Sequence, residues 1–413
     1  MGDSAHILRG NAIVAQSGGP TAVINASACG VIQEALKRDE IEHVYAAYNG
    51  ILGVLNEEIF DLGREDPDQI EGLRCSPASA LGSCRYKVRS EADFEKIVNV
   101  FKKHNIRYFF YIGGNDSMDT ADQVNKLAAK MGYEFVAMGV PKTIDNDLAH
   151  TDHTPGFGSV IKYLATMVME AGRDTEALYT TDTVNVIEAM GRNAGWIAAG
   201  TALARRNNED APHIILLPEV PFDKEKFKAK VQHYLDTIKR CVIVVSEGTK
   251  NADGSYIAEQ KGDFGKDAFG HTQLGGAAQY IKSLVEGEVK VKARFAMPST
   301  IQRTGIHFAS QTDSDEAYLV GKRAVELALA GENGKMVTLK RVSDDPYRIE
   351  TATADLSAVA NDEKMFPREW ISDDGFFVTD EFIDYARPLI QGEVQTRIKD
   401  GLPEFVRFEK HFI

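Results

Sequence analysis

Tyr108-Phe109-Phe110-Tyr111-Ile112-Gly113-Gly114-Asn115-Asp116-Ser117 is an apolar run that ends on two glycines and a polar triplet, and an amphipathic stretch over Thr120–Lys130 follows it. A short apolar run closed by Gly-Gly reads as a buried strand that turns into a helix. The same unit stands upstream, where Ala12–Ala15 leads through Gln16-Ser17-Gly18-Gly19-Pro20-Thr21 into a helical pattern over Ala22–Arg38. Val44–Tyr48 and Phe135–Val140 read as further strands and Glu91–His104 as a further helix. The second half keeps the rhythm, with strands at Val184–Ala189, Ile214–Leu217 and Val242–Ser246 and helices at Ser159–Ala171, Ala194–Arg206, Lys224–Lys239 and Asp313–Ala330. This alternation predicts an α/β fold of two Rossmann-like, doubly wound parallel-sheet domains. Ligands of such sheets bind beyond the carboxyl ends of the strands, where these glycine turns sit, so the active site is expected between the domains. From Met336 onward the periodicity fades, and the C-terminal stretch reads as an ordered appendage rather than a flexible linker.

Composition narrows the function. With 413 residues, 43% hydrophobic and 26% charged, the chain is long enough for two cores. A net charge of −14 disfavours nucleic acid or an anionic membrane as partner, so an anionic ligand must be met by a local basic pocket. Cys29, Cys75, Cys84 and Cys241 form no C-x-x-C pair, which argues against a zinc site and a disulfide scaffold and fits a reducing cytoplasm. Residues 1–11 lack a secretory pattern and no run of 18 apolar residues occurs, so neither export nor a membrane span is expected.

After the strand Phe135–Val140 comes Pro141-Lys142-Thr143-Ile144-Asp145-Asn146-Asp147. Two carboxylates two residues apart, a hydroxyl donor and a cation in one loop are what phosphoryl transfer needs: a base, a metal ligand and a phosphate counter-charge. The Gln16–Thr21 turn offers backbone N–H groups and a helix start as an anion site, although an isolated Gly-Gly is better read as a tight turn. The Gly113–Ser117 turn repeats that geometry with polar side chains that packing does not explain. Together with the acidic loop, the two turns point to a phosphate site.

These stretches, with Met190-Gly191-Arg192 and Ile301-Gln302-Arg303, stand in the order found in phosphofructokinases. Over about residues 11 to 335 the chain resembles that family, and its variants point to the pyrophosphate-dependent branch. The resemblance implies a phosphoryl-donor domain of residues 1–156 with about 303–350 packing back, a sugar-phosphate domain of residues 157–302, and an appendage of residues 351–413. It also implies that Asp145 is the base for the sugar 1-hydroxyl, that Thr143 donates to the transferring phosphoryl group, and that Asp147 supports Mg²⁺ or orients the loop. Asp116 is the other metal candidate. Asn115 is a weaker one, because it stands where the family has an aspartate and an amide is a neutral ligand. Gly19, Arg85, Asp116 and Lys142 match donor-binding positions. Met190, Gly191, Arg192, Glu247, Arg294 and Arg303 match sugar-phosphate contacts, where guanidinium forks suit phosphate oxygens. Thr300 stands where ATP-using relatives often carry histidine. In the family one phosphate-binding arginine comes from a neighbouring subunit, which implies a homodimer or homotetramer.

Two positions bear on the donor. ATP-using relatives carry glycine where this chain has Asp116 and Lys142. A carboxylate at the first removes room for an α-phosphate and adds a like charge, costing on the order of 4 kcal/mol at about 4 Å and an effective dielectric near 20. Pyrophosphate has no α-phosphate or adenosine to clash, and Lys142 gives it a point charge. The implied reaction is Mg²⁺-dependent, reversible phosphoryl transfer from pyrophosphate to fructose 6-phosphate. The alternatives are a non-catalytic sugar-phosphate-binding regulatory subunit, an ATP-dependent phosphofructokinase, and a kinase of the wider Gly-Gly-Asp group such as an NAD kinase. The last has no need of Met190–Arg192 and Gln302-Arg303.

Overall fold

The central strands are buried at nearly every position, with side chains directed alternately to two faces, and both faces of the first sheet are covered. The computed structural model describes residues 8–258 and 274–413. Its strands are β1 (Gly10–Gln16), β2 (Ile41–Ala47), β3 (Ile59–Asp61), β4 (Ile106–Gly113), β5 (Val136–Pro141), β6 (Val184–Ala189), β7 (Ile214–Leu216), β8 (Cys241–Ser246), β9 (Ala293–Ala296), β10 (Lys335–Asp344) and β11 (Tyr347–Asp355), with a small separate pair, β12 (Ile398–Lys399) and β13 (Leu402–Pro403). Ala12 and Val14 of β1 and Tyr108, Phe110 and Ile112 of β4 face one core, with the helices Ile24–Ala35 and Gln311–Leu329. Their neighbours Ile13, Ala15, Phe109 and Tyr111 face a second core, under the helices Glu91–Lys103 and Asn115–Lys130. Side chains of a strand point alternately up and down, so a strand apolar at every position must be covered on both faces.

The first sheet runs β11-β10-β5-β4-β1-β2-β3. β10, β5, β4, β1 and β2 are parallel, with β1 and β4 in the register Ala12↔Tyr108 to Gln16↔Ile112. The two edge strands, β3 and β11, are antiparallel to their neighbours. The sheet is therefore parallel through its five central strands, as the sequence suggested, with one antiparallel strand at each rim. A second sheet, β7-β8-β6-β9, is parallel throughout. Ile187, Ala189, Val242 and Val244 pack on one of its faces, and Val186, Ile243 and Val245 on the other.

Three expectations change. The helix foreseen at Thr120 begins at Asn115, because its polar first turn faces a cleft rather than the core. The helix foreseen over Ala194–Arg206 is Trp196–Gly200 followed by a single 3-10 turn, Thr201–Ala204. The stretch beyond Met336 holds the β10–β11 hairpin, of ten and nine residues, whose outer half is solvent-facing and so lacks an apolar period. Beyond it the chain serves both halves of the molecule. Phe366, Ile371, Phe382 and Leu389 join Trp196 in the second sheet's core, and Phe408 and Phe412 pack tilted and edge-on against Phe60 beside the first.

Candidate active site

The carboxyl ends of β1, β4, β5, β6 and β8 converge on a cleft of about 410 Å³ lined by loops from both sheets. Ser17, Gly18, Gly19, Arg85, Asn115, Asp116, Lys142, Thr143, Asp145 and Asp147 come from the first half, and Met190, Arg192, Asn193 and Glu247 from the second.

At the first turn two backbone N–H groups are taken up inside the protein. The Ser17 N–H donates to the Ile112 carbonyl at 2.9 Å and the Gly18 N–H to the Cys84 carbonyl at 3.0 Å. The Thr21 hydroxyl accepts from the Ile24 N–H at 2.9 Å, capping the helix that follows. What the glycines admit is cations. A Cβ on Gly18 would lie 3.1 Å from Lys142 Nζ, and one on Gly19 would lie 2.8 Å from an Arg303 guanidinium nitrogen. Positive potential over this turn thus comes from side chains. Lys142 Nζ donates to the Gly19 carbonyl at 3.0 Å, and burial, which outweighs the carboxylate of Asp145, lowers its pKa to about 8.

The second turn fits an anion better. No side chain caps the helix Asn115–Lys130, so its first N–H groups are left open toward the cleft. Gly113 is needed there because a Cβ would lie 2.0 Å from Ser117 Oγ. Asp116 stands in the first helical turn, and Lys87 Nζ lies 2.9 Å from its Oδ1. Asn115 Oδ1 is buried and has no hydrogen-bond partner among the described residues.

The acidic loop is pinned at each end. The Lys142 N–H donates to the Gly113 carbonyl at 3.1 Å, Thr143 bridges to Gly156, and the Asp145 N–H donates to Thr143 Oγ1 at 3.0 Å. Asn146 adopts a left-handed backbone, φ 53°, between the two aspartates. Burial raises the pKa of Asp145 and of Asp147 above the carboxylate range. Glu247 adds to the effect at Asp145, and Asp145 itself adds to it at Asp147. Each therefore holds a proton more tightly than a free aspartate does.

On the second sheet's side, Glu247 follows β8, and its Oε1 accepts from the Gly191 N–H at 3.3 Å. Ser246 Oγ donates to the Gly191 carbonyl at 2.8 Å, and the Met190 N–H donates to the buried Gln302 side chain at 3.1 Å. Gly248 is confined by the Arg192 carbonyl, 2.0 Å from where its Cβ would be. These bonds fix Met190, Gly191 and Arg192 as one rigid turn.

Of the residues singled out in the sequence, Gly19, Arg85, Asn115, Asp116, Lys142, Thr143, Asp145, Asp147, Met190, Arg192 and Glu247 line the cleft. Gly191 supports the wall through its backbone, and Arg303 reaches over Gly19. Arg294 does not join them. It lies at the start of β9, opposite Asn185 near the amino end of β6, exposed, with its Nε 2.7 Å from Asp182 Oδ2. Sequence reading missed Lys87, Asn193 and Glu363. Asn193 adjoins Arg192, but nothing near Glu363 in the chain marks it.

Comparison with known proteins agrees with this architecture. A family model described as Phosphofructokinase matches residues 11–328. The chain is 47% identical over 407 residues to the pyrophosphate--fructose 6-phosphate 1-phosphotransferase of Halomonas elongata, covering 97% of this chain and 96% of that one. It is 47% identical over 403 residues to the protein of the same name from Xanthomonas campestris, covering 96% of each. The crystal structure of the pyrophosphate-dependent phosphofructokinase from Marinobacter aquaeolei superposes with a TM-score of 0.90 at 44% identity, covering 98% of this chain and 97% of that one.

Proposed function

Because the chain belongs to the phosphofructokinase family, we propose that it transfers a phosphoryl group reversibly between pyrophosphate and the 1-hydroxyl of fructose 6-phosphate, giving fructose 1,6-bisphosphate and phosphate. The observation that carries the choice of donor is that Asp116 and Lys142, which replace the glycines of ATP-using relatives, both line the cleft that holds Asp145. Asp116 narrows the donor end at the helix start, and Lys142 places an ammonium under a compact anion.

Asp145 takes the proton of the 1-hydroxyl as that oxygen bonds to the nearer phosphorus of pyrophosphate. The bridging P–O bond breaks, its electron pair stays on the leaving phosphate, and the proton rests on Asp145. Most of the acceleration comes from alignment and from cations facing the charge on the transferring group. Lys142, Thr143, Arg85 and the open helix start at Asn115 face the donor. Arg192 and Arg303 face the sugar phosphate, Glu247 accepts from sugar hydroxyls, and Met190 packs beside the ring. Arg294, exposed at the start of β9, is the arginine we assign to a neighbouring copy's site, so the working unit is at least a dimer.

The donor set suits Mg²⁺: carboxylate oxygens of Asp147 and Asp116 and the unpartnered Asn115 Oδ1 are all hard ligands. Among the described residues no group of three or more His, Cys, Asp or Glu forms a ready-made metal site. Asp147 and Asp116, with Asn115, would hold Mg²⁺ alongside the substrate, and the ion would neutralise phosphate charge there. A cytoplasmic location fits the reducing environment read from the cysteines, and no described helix is long and apolar enough to cross a membrane.

The test is the initial rate of fructose 1,6-bisphosphate formation with Mg²⁺ and either pyrophosphate or ATP. Turnover with pyrophosphate alone is expected. Preference for ATP would overturn the donor assignment, and no turnover with either would favour a binding subunit.

A further inference from the structure

Residues 361–366 lie outside the stretch that the family model matches, yet they reach the cleft from behind. Glu363 lines the cleft, and its Oε1 accepts from Asn193 Nδ2 at 2.9 Å. Glu363 forms an antiparallel bridge with Leu148, and the Lys364 N–H donates to the Asp147 carbonyl at 2.8 Å. The Lys364 side chain then runs under the loop. Its Nζ donates to Asn146 Oδ1 at 3.2 Å, to the Thr151 carbonyl at 3.2 Å and to the Asp152 carbonyl at 2.8 Å. Above it, Trp196 Nε1 donates to the Lys364 carbonyl at 3.1 Å.

Asn146 is the other half of the joint. It is fully buried, and its amide points away from the cleft: Oδ1 also accepts from the Thr154 N–H at 3.0 Å, and Nδ2 donates to the Tyr385 hydroxyl at 3.3 Å. With the middle residue anchored backward in a left-handed turn, the residues before and after it both face the cleft. An ammonium has three protons, and all three of Lys364 are spent on this loop. Burial lowers its pKa to about 8, a desolvation cost that an apolar side chain beside Trp196 would not carry.

We propose that Lys364 is a positioning residue, which holds Asp145 and Asp147 in reacting geometry through Asn146, and that Glu363 and Asn193 clasp this loop to the Arg192 turn across the cleft. The inference rests on the reading of Asp145 as the base, and it makes the C-terminal segment part of the active site rather than an appendage.

Two readouts on the full-length protein test it. In Lys364→Met, kcat should fall by about a hundredfold, the usual penalty for an ångström of misplacement, while KM for pyrophosphate and for fructose 6-phosphate stays within about threefold of wild type. Hydrogen exchange of amides 143–149 should quicken by about tenfold with the two sheets unchanged. Lys364→Gln, which keeps a donor for Asn146, should recover part of both effects, and Tyr385→Phe should show a smaller loss in the same direction. Loop exchange and kcat equal to wild type in Lys364→Met would overturn the proposal, as would a rise in KM at unchanged kcat. If Lys364→Met does not fold, Lys364→Gln and Tyr385→Phe decide by the same criteria. Wild-type protein inactive with pyrophosphate would refute the assigned reaction, while the exchange measurement would still decide the clasp.

Discussion

Asp116 poses a problem at the residue scale: a carboxylate that repels an α-phosphate also repels pyrophosphate. Lys87, 2.9 Å away, answers it by neutralising the carboxylate while leaving its bulk in place. Both side chains are more than a third exposed, so the pair is screened and worth about 1 kcal/mol at most. Lys87→Met should therefore raise KM for pyrophosphate by about fivefold and leave KM for fructose 6-phosphate unchanged, and Lys87→Arg should restore it; equal effects on both substrates would show that the pair has no donor role. Asp116→Gly combined with Lys142→Gly should raise the ratio of ATP to pyrophosphate turnover, and an unchanged ratio would remove both residues from donor choice. The same residues shape the pH profile. Asp145 must be ionised to accept a proton, and its raised pKa moves the acid limb of kcat/KM above the ordinary carboxylate range near 4. Lys142 must be charged, so affinity for pyrophosphate should fade as pH rises through about 8. A profile flat from pH 4 to 10 would contradict both assignments.

Elements were legible where period and burial coincide. Val184–Ala189 reads from the sequence with both ends correct, because every residue but Asn185 is buried and a polar loop stops it on each side. The hairpin β10–β11 was not legible, since beyond Leu339 its residues are half-exposed or exposed, and β9, with three of four residues exposed, left no apolar run. The site divides in the same way. Loops that follow strands carried their own signal in glycines and paired acids, whereas Glu363, in Asn361-Asp362-Glu363-Lys364, has the composition of a solvated turn and becomes part of the cleft only through tertiary packing. Nor did Gly30 and Gly321 announce themselves as a helix crossing. A Cβ on Gly30 would meet the Tyr318 carbonyl oxygen at 2.1 Å, and one on Gly321 the Ser27 carbonyl oxygen at 2.1 Å, so each helix backbone lies in the other's groove. Either Gly→Ala change forces two backbones apart and should cost about 3 kcal/mol, at the upper end for overpacking, seen as a lowered thermal midpoint. Gly287→Ala, with nothing within 4 Å of the new methyl, is the control and should leave the midpoint within a degree or two.

The whole molecule is bolted together by buried charge as well as by apolar packing, and His153 is the bolt that can be tested. One ring nitrogen lies 2.7 Å from Asp152 Oδ1 and the other 2.5 Å from Glu316 Oε2. Asp152 also accepts from Arg341 of β10, at 3.1 Å, and Glu316 accepts from the Tyr347 hydroxyl of β11 at 2.7 Å. Arg341 in turn donates to the carbonyl of Tyr385, in the segment that packs on the second sheet. One imidazolium thus joins the loop after β5, the helix Gln311–Leu329 and, through Arg341 and Tyr385, the C-terminal segment. Burial alone would lower its pKa, but Glu316 and Asp152 outweigh burial and raise it to about 9 from 6.5. A folded-state pKa above the unfolded value means that the stabilisation is fully present below about 6.5 and is lost as pH rises through about 9. At 1.36 kcal/mol per unit the full span is about 3 kcal/mol. Lys142 and Lys364, each lowered to about 8, act with the opposite sign between about 8 and their unfolded value near 10.5, so wild-type stability alone would blur the effect. The difference between wild type and His153→Gln cancels those two contributions. Measured by urea unfolding at steps from pH 6 to pH 9.5, that difference should shrink by about 3 kcal/mol as pH rises; a difference constant with pH would mean that His153 is neutral in the folded protein and the bolt is an ordinary hydrogen bond.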